Sequence, residues 1–478
     1  MLIQSLEISN YKSLSKQTIE DFSSVNMIYG HNNSGKSNIL KLIHLIFKRK
    51  ISPEGNVVVP EQSSSQGGLL PEEKFMEKSQ SNWWEGIIQN EPFIFRNGDL
   101  TKDIEFKIVV GIQKSEIKTA LGEDEFEEVK SAYFNEEMLK SATEDENKAR
   151  LAASEAVKKK SGDQEELKAA SKIAKRILDR HQRANGGDNE LLDIEFSGVI
   201  KSRGTYDSEI VLVRVAIFSN SIFEIQEGEV KVYFQHAPEN SKVRSSGFSS
   251  LDSILDVLND SVLFLDNDRY FTKEKEDKNL SDNSPRTFKN WLHNLSLESF
   301  EKDSYERIFN QVNKFAPGGS AQEMRMERNS PLGSVDIEFF RSKGEIDILL
   351  RNKVNPNKRL SIESFGTGIQ QILYILTRIA ESQPKVVLLE EIELNLSPKY
   401  QNAVIRHLES GLINDPDSNF QQLFFTSHSP LLSVNSQYQI HQVSINENGE
   451  SSVSKANKDS IREFYPKEVI DALIEQTA

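Results

Sequence analysis

The chain has 478 residues, 37% hydrophobic and 27% charged, and carries a net charge of −15. That balance excludes a globally basic nucleic-acid footprint, though not a local basic patch. Cysteine is absent, which removes disulfides, cysteine zinc sites, iron–sulfur clusters and thiol catalysis together. No run approaches the ~18 consecutive apolar residues of a membrane span. The opening residues MLIQSLEISNYKSLS alternate apolar and polar, so they read as a strand and not as a leader. A cytoplasmic protein without membrane association is the simplest expectation.

In chain order, Leu2 to Leu14 reads as a strand pair and Val25 to Tyr29 as a short buried strand. Gly30 to Ser37 is a glycine-bearing loop, and Asn38 to Lys48 a helix with an apolar face. Residues 51–70 are rich in Pro, Ser and Gly and read as a loop. Asp103 to Ile112 returns to a strand pattern. Residues 113–190 are dominated by Glu, Lys and Ala, with no Pro. Leu167, Ala170, Ala174, Ile177 and His181 recur there at helical spacing. This segment is expected to be an inserted helical hairpin or short coiled coil, either a solvated insertion or a recognition arm for a partner. Its length of about 80 residues permits an arm of tens of ångströms.

Leu192 to about Ala237 is strand-like, 282–316 helical with Trp291, Leu292, Leu295, Phe300 and Ile308, and Val335 to Leu350 a strand pair. Residues 368–382 are expected as a helix, Val386 to Leu389 as a buried strand, Lys399 to Leu408 as a helix and Leu423 to Thr426 as a strand. The ends of the chain therefore read as α/β, with mixed material between them.

Gly30-His31-Asn32-Asn33-Ser34-Gly35-Lys36-Ser37 fits G-x-x-x-x-G-K-[ST]. In such a loop the backbone N–H groups curl around a β-phosphate, glycines permit close approach, and the following helix points its N-terminus at the anion. Lys36 reaches the β/γ-oxygens and the Ser37 hydroxyl ligates Mg²⁺. Asn38 opens the helix behind them. The expected cofactors are ATP and Mg²⁺.

Val386 to Leu389 ends in Glu390-Glu391. Successive side chains on a strand alternate in direction, so Glu390 is assigned to the metal shell and Glu391 to polarising the attacking water. Ser364 and Gly366 stand just before a helix N-terminus, a ready anion site. His428 follows a buried strand; alone it reads as structural. Asp266-Asn267-Asp268 ends another apolar run, as in two-metal nucleases.

Taken in order, these motifs resemble the ABC-class heads of the RecF, SMC and OLD (overcoming lysogenization defect) ATPases. "LEISNYKSL…VNMIYGHNNSGKSNIL" is similar to their N-terminal lobe, "SFGTGIQQIL" to their signature turn, "VVLLEEIELNLSP" to their Walker B and D-loop, and "FFTSHSP" to their switch histidine. "SVLFLDNDR" is similar to the strand before the helical part of these heads, which accounts for Asp266 and Asp268 better than a nuclease does. The chain departs at Ile392, where the OLD group has the proline of E-P-E, and at Ser397, where it has histidine. Gln62, Gln66 and Gln89 are all candidates for the glutamine loop.

The resemblance implies an α/β P-loop head with a mixed sheet and flanking helices. Residues 1–112 would be its N-terminal lobe, 113–190 the inserted arm, 191–330 a mixed part, 331–446 the C-terminal lobe and 447–478 a tail. It implies ATP hydrolysis with Glu391 as catalytic glutamate, His428 as γ-phosphate sensor, and Ser364 and Gly366 touching the γ-phosphate of a second subunit, hence at least a homodimer. OLD-type proteins often append a TOPRIM nuclease, for which the 50 residues after His428 are too few. A separate nuclease effector is therefore expected, with this chain similar to the sensor ATPase of PARIS-type, or Septu-type, bacterial antiphage systems, a phage protein as trigger. A RecF-like DNA-repair ATPase is the alternative, and DNA binding stays open.

Overall fold

The computed structural model describes residues 1–47, 85–88, 94–96, 99–123, 126, 136–159, 167–168, 170–171, 174–175, 178, 190–202, 208–217, 221–226, 229–234, 258, 261–269, 271–277, 284–297, 302–315, 335–342, 344–352, 357, 359–364, 366–409, 419–429, 432 and 438–456. The loop expected at 51–70, Gln62, Gln66, Gln89, Ile177, His181, Phe300, Phe365 and Pro430 lie outside them.

The elements run β1 (Leu2–Tyr11), β2 (Leu14–Ile19), β3 (Val25–Tyr29), α1 (Lys36–Phe47), β4 (Glu85–Ile88), β5 (Ile104–Gln113), α2 (Lys114–Leu121) and α3 (Glu136–Lys159). Then follow β6 (Leu191–Ser202), β7 (Ser208–Ile217), β8 (Ser221–Gln226), β9 (Glu229–Phe234), β10 (Val262–Leu265), β11 (Glu274–Lys275), α4 (Phe288–Leu297) and α5 (Lys302–Lys314). The last are β12 (Val335–Ser342), β13 (Glu345–Asn352), β14 (Arg359–Ser361), α6 (Thr367–Ser382), β15 (Val386–Leu389), α7 (Pro398–Leu408), β16 (Gln422–Ser427), β17 (Gln439–Ile445) and β18 (Ser451–Ala456). The fold is α/β, a mixed sheet with flanking helices.

Two compact units emerge: residues 1–21 with 45–259, and residues 22–44 with 260–478. In the first, β2, β1, β5, β6, β7, β8 and β9 pair antiparallel in that order, with β4 added to β7. Apolar side chains of β1 and β5, such as Ile3, Leu6, Ile108 and Val110, form its core. The helical character expected after residue 113 is present: Lys114–Leu121 and Glu136–Lys159 are helices, and Leu167, Ala170 and Ala174 are helical. Across residues 140–154 of α3 the side chains are mostly polar and exposed, as its Glu- and Lys-rich composition requires.

In the second unit, β10, β15, β16, β3 and β17 lie parallel in that order. β18 turns back antiparallel on β17. A smaller sheet, β11-β13-β12 with β14 on β13, is also antiparallel. All four residues of β15 and all five of β3 are buried, as strands covered on both faces must be. α6 packs eleven buried residues into this core. Each fully buried Leu or Ile there contributes about 1.5–3 kcal/mol. Sequence reading marked neither β17 nor β18; their alternating hydrophobicity is short and interrupted by Gln, His and Ser.

Candidate functional site

Parallel pairing decides where the chemistry gathers. β3, β10, β15 and β16 all point the same way, and their registers align Leu265 with Leu389, Leu389 with Phe425, and Ser427 with Tyr29. Their C-terminal ends therefore share one sheet edge, the place where ligands bind in open α/β folds. From that edge emerge the phosphate loop, Asp266, the Glu390-Glu391 pair and His428.

The phosphate loop follows β3. α1 begins at Lys36, two residues before the expected Asn38, so Lys36 and Ser37 occupy its first turn. Gly35 has φ 98° and Asn33 φ 63°, the left-handed turns that curl the loop. Gly30 has no alternative: a Cβ there would lie 2.3 Å from the Val443 carbonyl of β17. The Ser451 hydroxyl of β18 donates to the Ser34 carbonyl at 2.6 Å, pinning the loop from the same hairpin. His31, Asn32 and Asn33 are exposed, and Asn38 is half-buried with its N–H donating to the Gly35 carbonyl at 3.1 Å.

Lys36 is only 6% exposed. Its ammonium donates to the Gly30 and His31 carbonyls at 2.9 and 2.8 Å. Burial pushes its pKa below the usual lysine value, and the charges of Glu391 and Glu393 oppose that shift. The ammonium is thus held inside the loop's curve, in range of both acids.

Glu390 and Glu391 lie beyond the end of β15, so strand alternation does not separate them. What separates them is the backbone: Glu391 takes φ 42° and turns the chain. Glu390 is 3% exposed. Burial raises its pKa, with Asp266 and Glu391 adding to the rise, while Lys41 and a hydrogen bond from Ser37 work against it. Its Oε1 is 3.7 Å from the Lys41 ammonium. Among the described residues that oxygen accepts no hydrogen bond. Burial likewise raises Asp266, which also feels Lys41 and Arg269.

This donor set fits Mg²⁺. A buried acid oxygen without a hydrogen-bond donor, with a bonded serine hydroxyl beside it, supplies two of the six oxygens such an ion takes. Among the described residues no cluster of three or more His, Asp or Glu forms a self-contained metal cage. Mg²⁺ is ordinarily held by one or two side chains plus phosphate oxygens and water.

Two residues of the site escaped sequence reading. Glu393, nearly buried, accepts the His428 N–H at 2.6 Å, and the same oxygen lies 2.9 Å from the ring Nδ1. The imidazole itself is 48% exposed. Arg269, wholly buried, donates to the Glu390 carbonyl at 2.8 Å and to the Glu391 carbonyl at 3.0 Å. Glu393 had a signal in the E-x-E spacing after an apolar strand. Arg269 had none, because its partners lie more than a hundred positions away. Gln401 of α7 adds a brace, donating to the Leu396 carbonyl at 2.9 Å and accepting from Ser429 at 3.1 Å.

Ser364 and Gly366 stand where expected, in the turn before α6, and both are exposed. Among the described residues neither bonds to the phosphate loop. The turn is rigid from behind. Lys289, buried in α4, contacts Glu363 directly and reaches Asp347 at 3.2 Å. A Cβ on Gly368 would lie 2.5 Å from the Asn395 carbonyl, so α6 abuts the turn after Glu391.

A curated ATP/GTP phosphatase of Helicobacter pylori is 37% identical over 57 residues, 12% of this chain, and that match spans only 15% of the relative's length. An SMC head bound to the C-winged helix domain of ScpA is 13% identical, covering 97% of this chain and 100% of that one at a TM-score of 0.40. The SMC head domain of Thermotoga maritima is 11% identical, covering 96% and 100% at a TM-score of 0.37. A profile of the AAA ATPase domain matches residues 1–432, and the chain belongs to that family.

Proposed function

We propose that the protein binds ATP with Mg²⁺ in the loop Gly30 to Ser37 and hydrolyses it to ADP and phosphate. The loop N–H groups and the α1 N-terminus cradle the phosphates, and Lys36 supplies positive charge at the β/γ-oxygens. Ser37 and Glu390 would hold the metal, whose chemistry is neutralisation of charge on the transferring phosphoryl group. Glu391 orients the attacking water and accepts its proton; His428 hydrogen-bonds the γ-phosphate. The site is completed by Ser364 and Gly366 of a second copy. One observation supports this reading: four parallel strands end at one edge, from which the glycine loop, Glu390, Glu391 and His428 emerge, while among the described residues the exposed turn at Ser364 and Gly366 makes no bond to the glycine loop.

In this reading hydrolysis changes the contact between two copies, because γ-phosphate contacts exist in one nucleotide state only. We assign the chain to the sensor side of an antiviral defence complex, holding or releasing a separate nuclease in response to a phage trigger. The support is the resemblance of its motif set to the OLD, PARIS and Septu ATPases. A RecF- or SMC-like repair ATPase would instead bind duplex DNA with a steep salt slope, against which the net charge of −15 weighs. Phosphate release that falls to a small residual rate in Glu391→Gln while ATP binding persists supports the enzymatic reading; unchanged release contradicts it. Recovery of a nuclease with the tagged protein supports the defence role, and ATP-dependent duplex binding without such a partner contradicts it.

A further inference from the structure

The residues around Glu391 are held more completely than a solvent-edge turn needs. The Glu390 N–H donates to the Leu265 carbonyl of β10 at 2.9 Å. The Glu391 N–H donates to the Thr426 hydroxyl of β16 at 2.8 Å, and the Ile392 N–H approaches the Thr426 carbonyl at 3.4 Å. The carbonyls of Glu390 and Glu391 are taken by the two terminal nitrogens of Arg269. Both peptide groups that orient Glu391 are thereby fixed from both sides.

That clamp has a reason. Glu391 sits at φ 42°, a left-handed conformation that costs a residue with a Cβ about 1 kcal/mol or more and persists only where its surroundings over-determine it. Relaxation to ordinary β or α backbone would swing the side chain away from the edge where the phosphate loop opens. A guanidinium is suited to hold two successive carbonyls, because its donors form a rigid planar fork. Arg269 is fully buried, and its charge works against the burial that raises the Asp266 pKa. It lies four residues past the end of β10, so the edge strand beside β15 delivers it.

We propose that Arg269 is a positioning residue for hydrolysis: it touches the backbone of Glu391, holds it in the left-handed turn and so aims its carboxylate at the attacking water, without touching nucleotide. This rests on Glu391 being the hydrolytic carboxylate. The geometry further makes Arg269 and Thr426 two halves of one clamp, acting on the C=O and the N–H of the same residue.

The test compares wild type, Arg269→Lys, Glu391→Gln and the double variant by single-turnover ATP hydrolysis and ATP affinity. A lysine keeps the charge but reaches one carbonyl, so the hydrolysis rate is expected to fall about tenfold or more with ATP affinity within about twofold. In the Glu391→Gln background the same change is expected to lower residual turnover no further. Wild-type rates in Arg269→Lys, or an equal loss in both backgrounds, overturn the proposal while leaving Glu391 in place. Full hydrolysis by Glu391→Gln alone overturns the assignment of Glu391 and this proposal with it. Should Arg269→Lys fail to fold, Thr426→Val removes the opposing hydrogen bond and is expected to show the same split between rate and affinity; a wild-type rate there overturns the clamp.

Discussion

A single oxygen of Glu393 accepts the backbone N–H of His428 at 2.6 Å and lies 2.9 Å from its ring Nδ1. A carboxylate that holds a histidine's backbone and lies against its ring sets where that ring can reach. Glu393→Gln is expected to cut hydrolysis about tenfold while ATP affinity changes less than about twofold. His428→Ala is expected to cost at least as much, and the two together little more than His428→Ala alone. Additive losses would show that Glu393 acts apart from His428.

Lys36 is already buried and bonded to two loop carbonyls before any phosphate arrives. Lys36→Ala removes both the loop brace and the phosphate contact. ATP affinity, measured with a fluorescent analogue, is expected to fall about a hundredfold, the equivalent of roughly 3 kcal/mol. Binding at wild-type strength would displace the nucleotide from this loop.

Glu390 gives a pH-dependent signature. Burial raises its pKa in the folded chain above the ordinary value. A carboxyl raised in this way contributes stability that is fully present below its unfolded pKa, about 4.3, and is lost as pH rises through the higher folded pKa. Above that window the folded protein carries an ionised, buried carboxylate. Glu390→Gln is therefore expected to raise thermal stability at pH 7 in chelator, by on the order of 1 kcal/mol. It is also expected to abolish Mg²⁺-dependent hydrolysis. Glu390→Gln melting below wild type in chelator would contradict this account of the acid.

Gly368 sits in the first turn of α6, where alanine would add about 1 kcal/mol of helix propensity. Yet its Cβ would lie 2.5 Å from the Asn395 carbonyl. Gly368→Ala is accordingly expected to destabilise by about 1–3 kcal/mol in thermal or urea unfolding, propensity notwithstanding. A stabilised variant would mean that α6 does not abut the turn after Glu391.

The sequence was most legible where local pattern and chemistry coincide. The buried strand, the glycine loop and the apolar helix around Lys36 and Ser37 are present, with the helix start displaced by two residues. Val386 to Leu389 was plain as a buried strand, while the two acids after it gained a role only from the phosphate loop elsewhere in the chain. The backbone of Glu391 was not legible: alternation along a strand fails where the strand stops, and a left-handed glutamate has no sequence mark. Arg269 and Gln401 were invisible because their roles are hydrogen bonds to main-chain carbonyls, which any residue supplies. Glu393 was half legible, as an acid two places after another, but its partner His428 is 35 positions on and meets it only because β15 and β16 are parallel neighbours.

The central claim is that one copy's Lys36 and another copy's Ser364 serve the same ATP, and mixing inactive variants tests it directly. Lys36→Ala and Ser364→Arg are each expected to release no phosphate alone. Combined in equal amounts and allowed to exchange subunits, half of random dimers are mixed, and each mixed dimer holds one intact composite site out of two. Phosphate release at about one quarter of the wild-type rate is the predicted result. No recovery in the mixture, with exchange verified by labelled subunits, would contradict a site shared between copies.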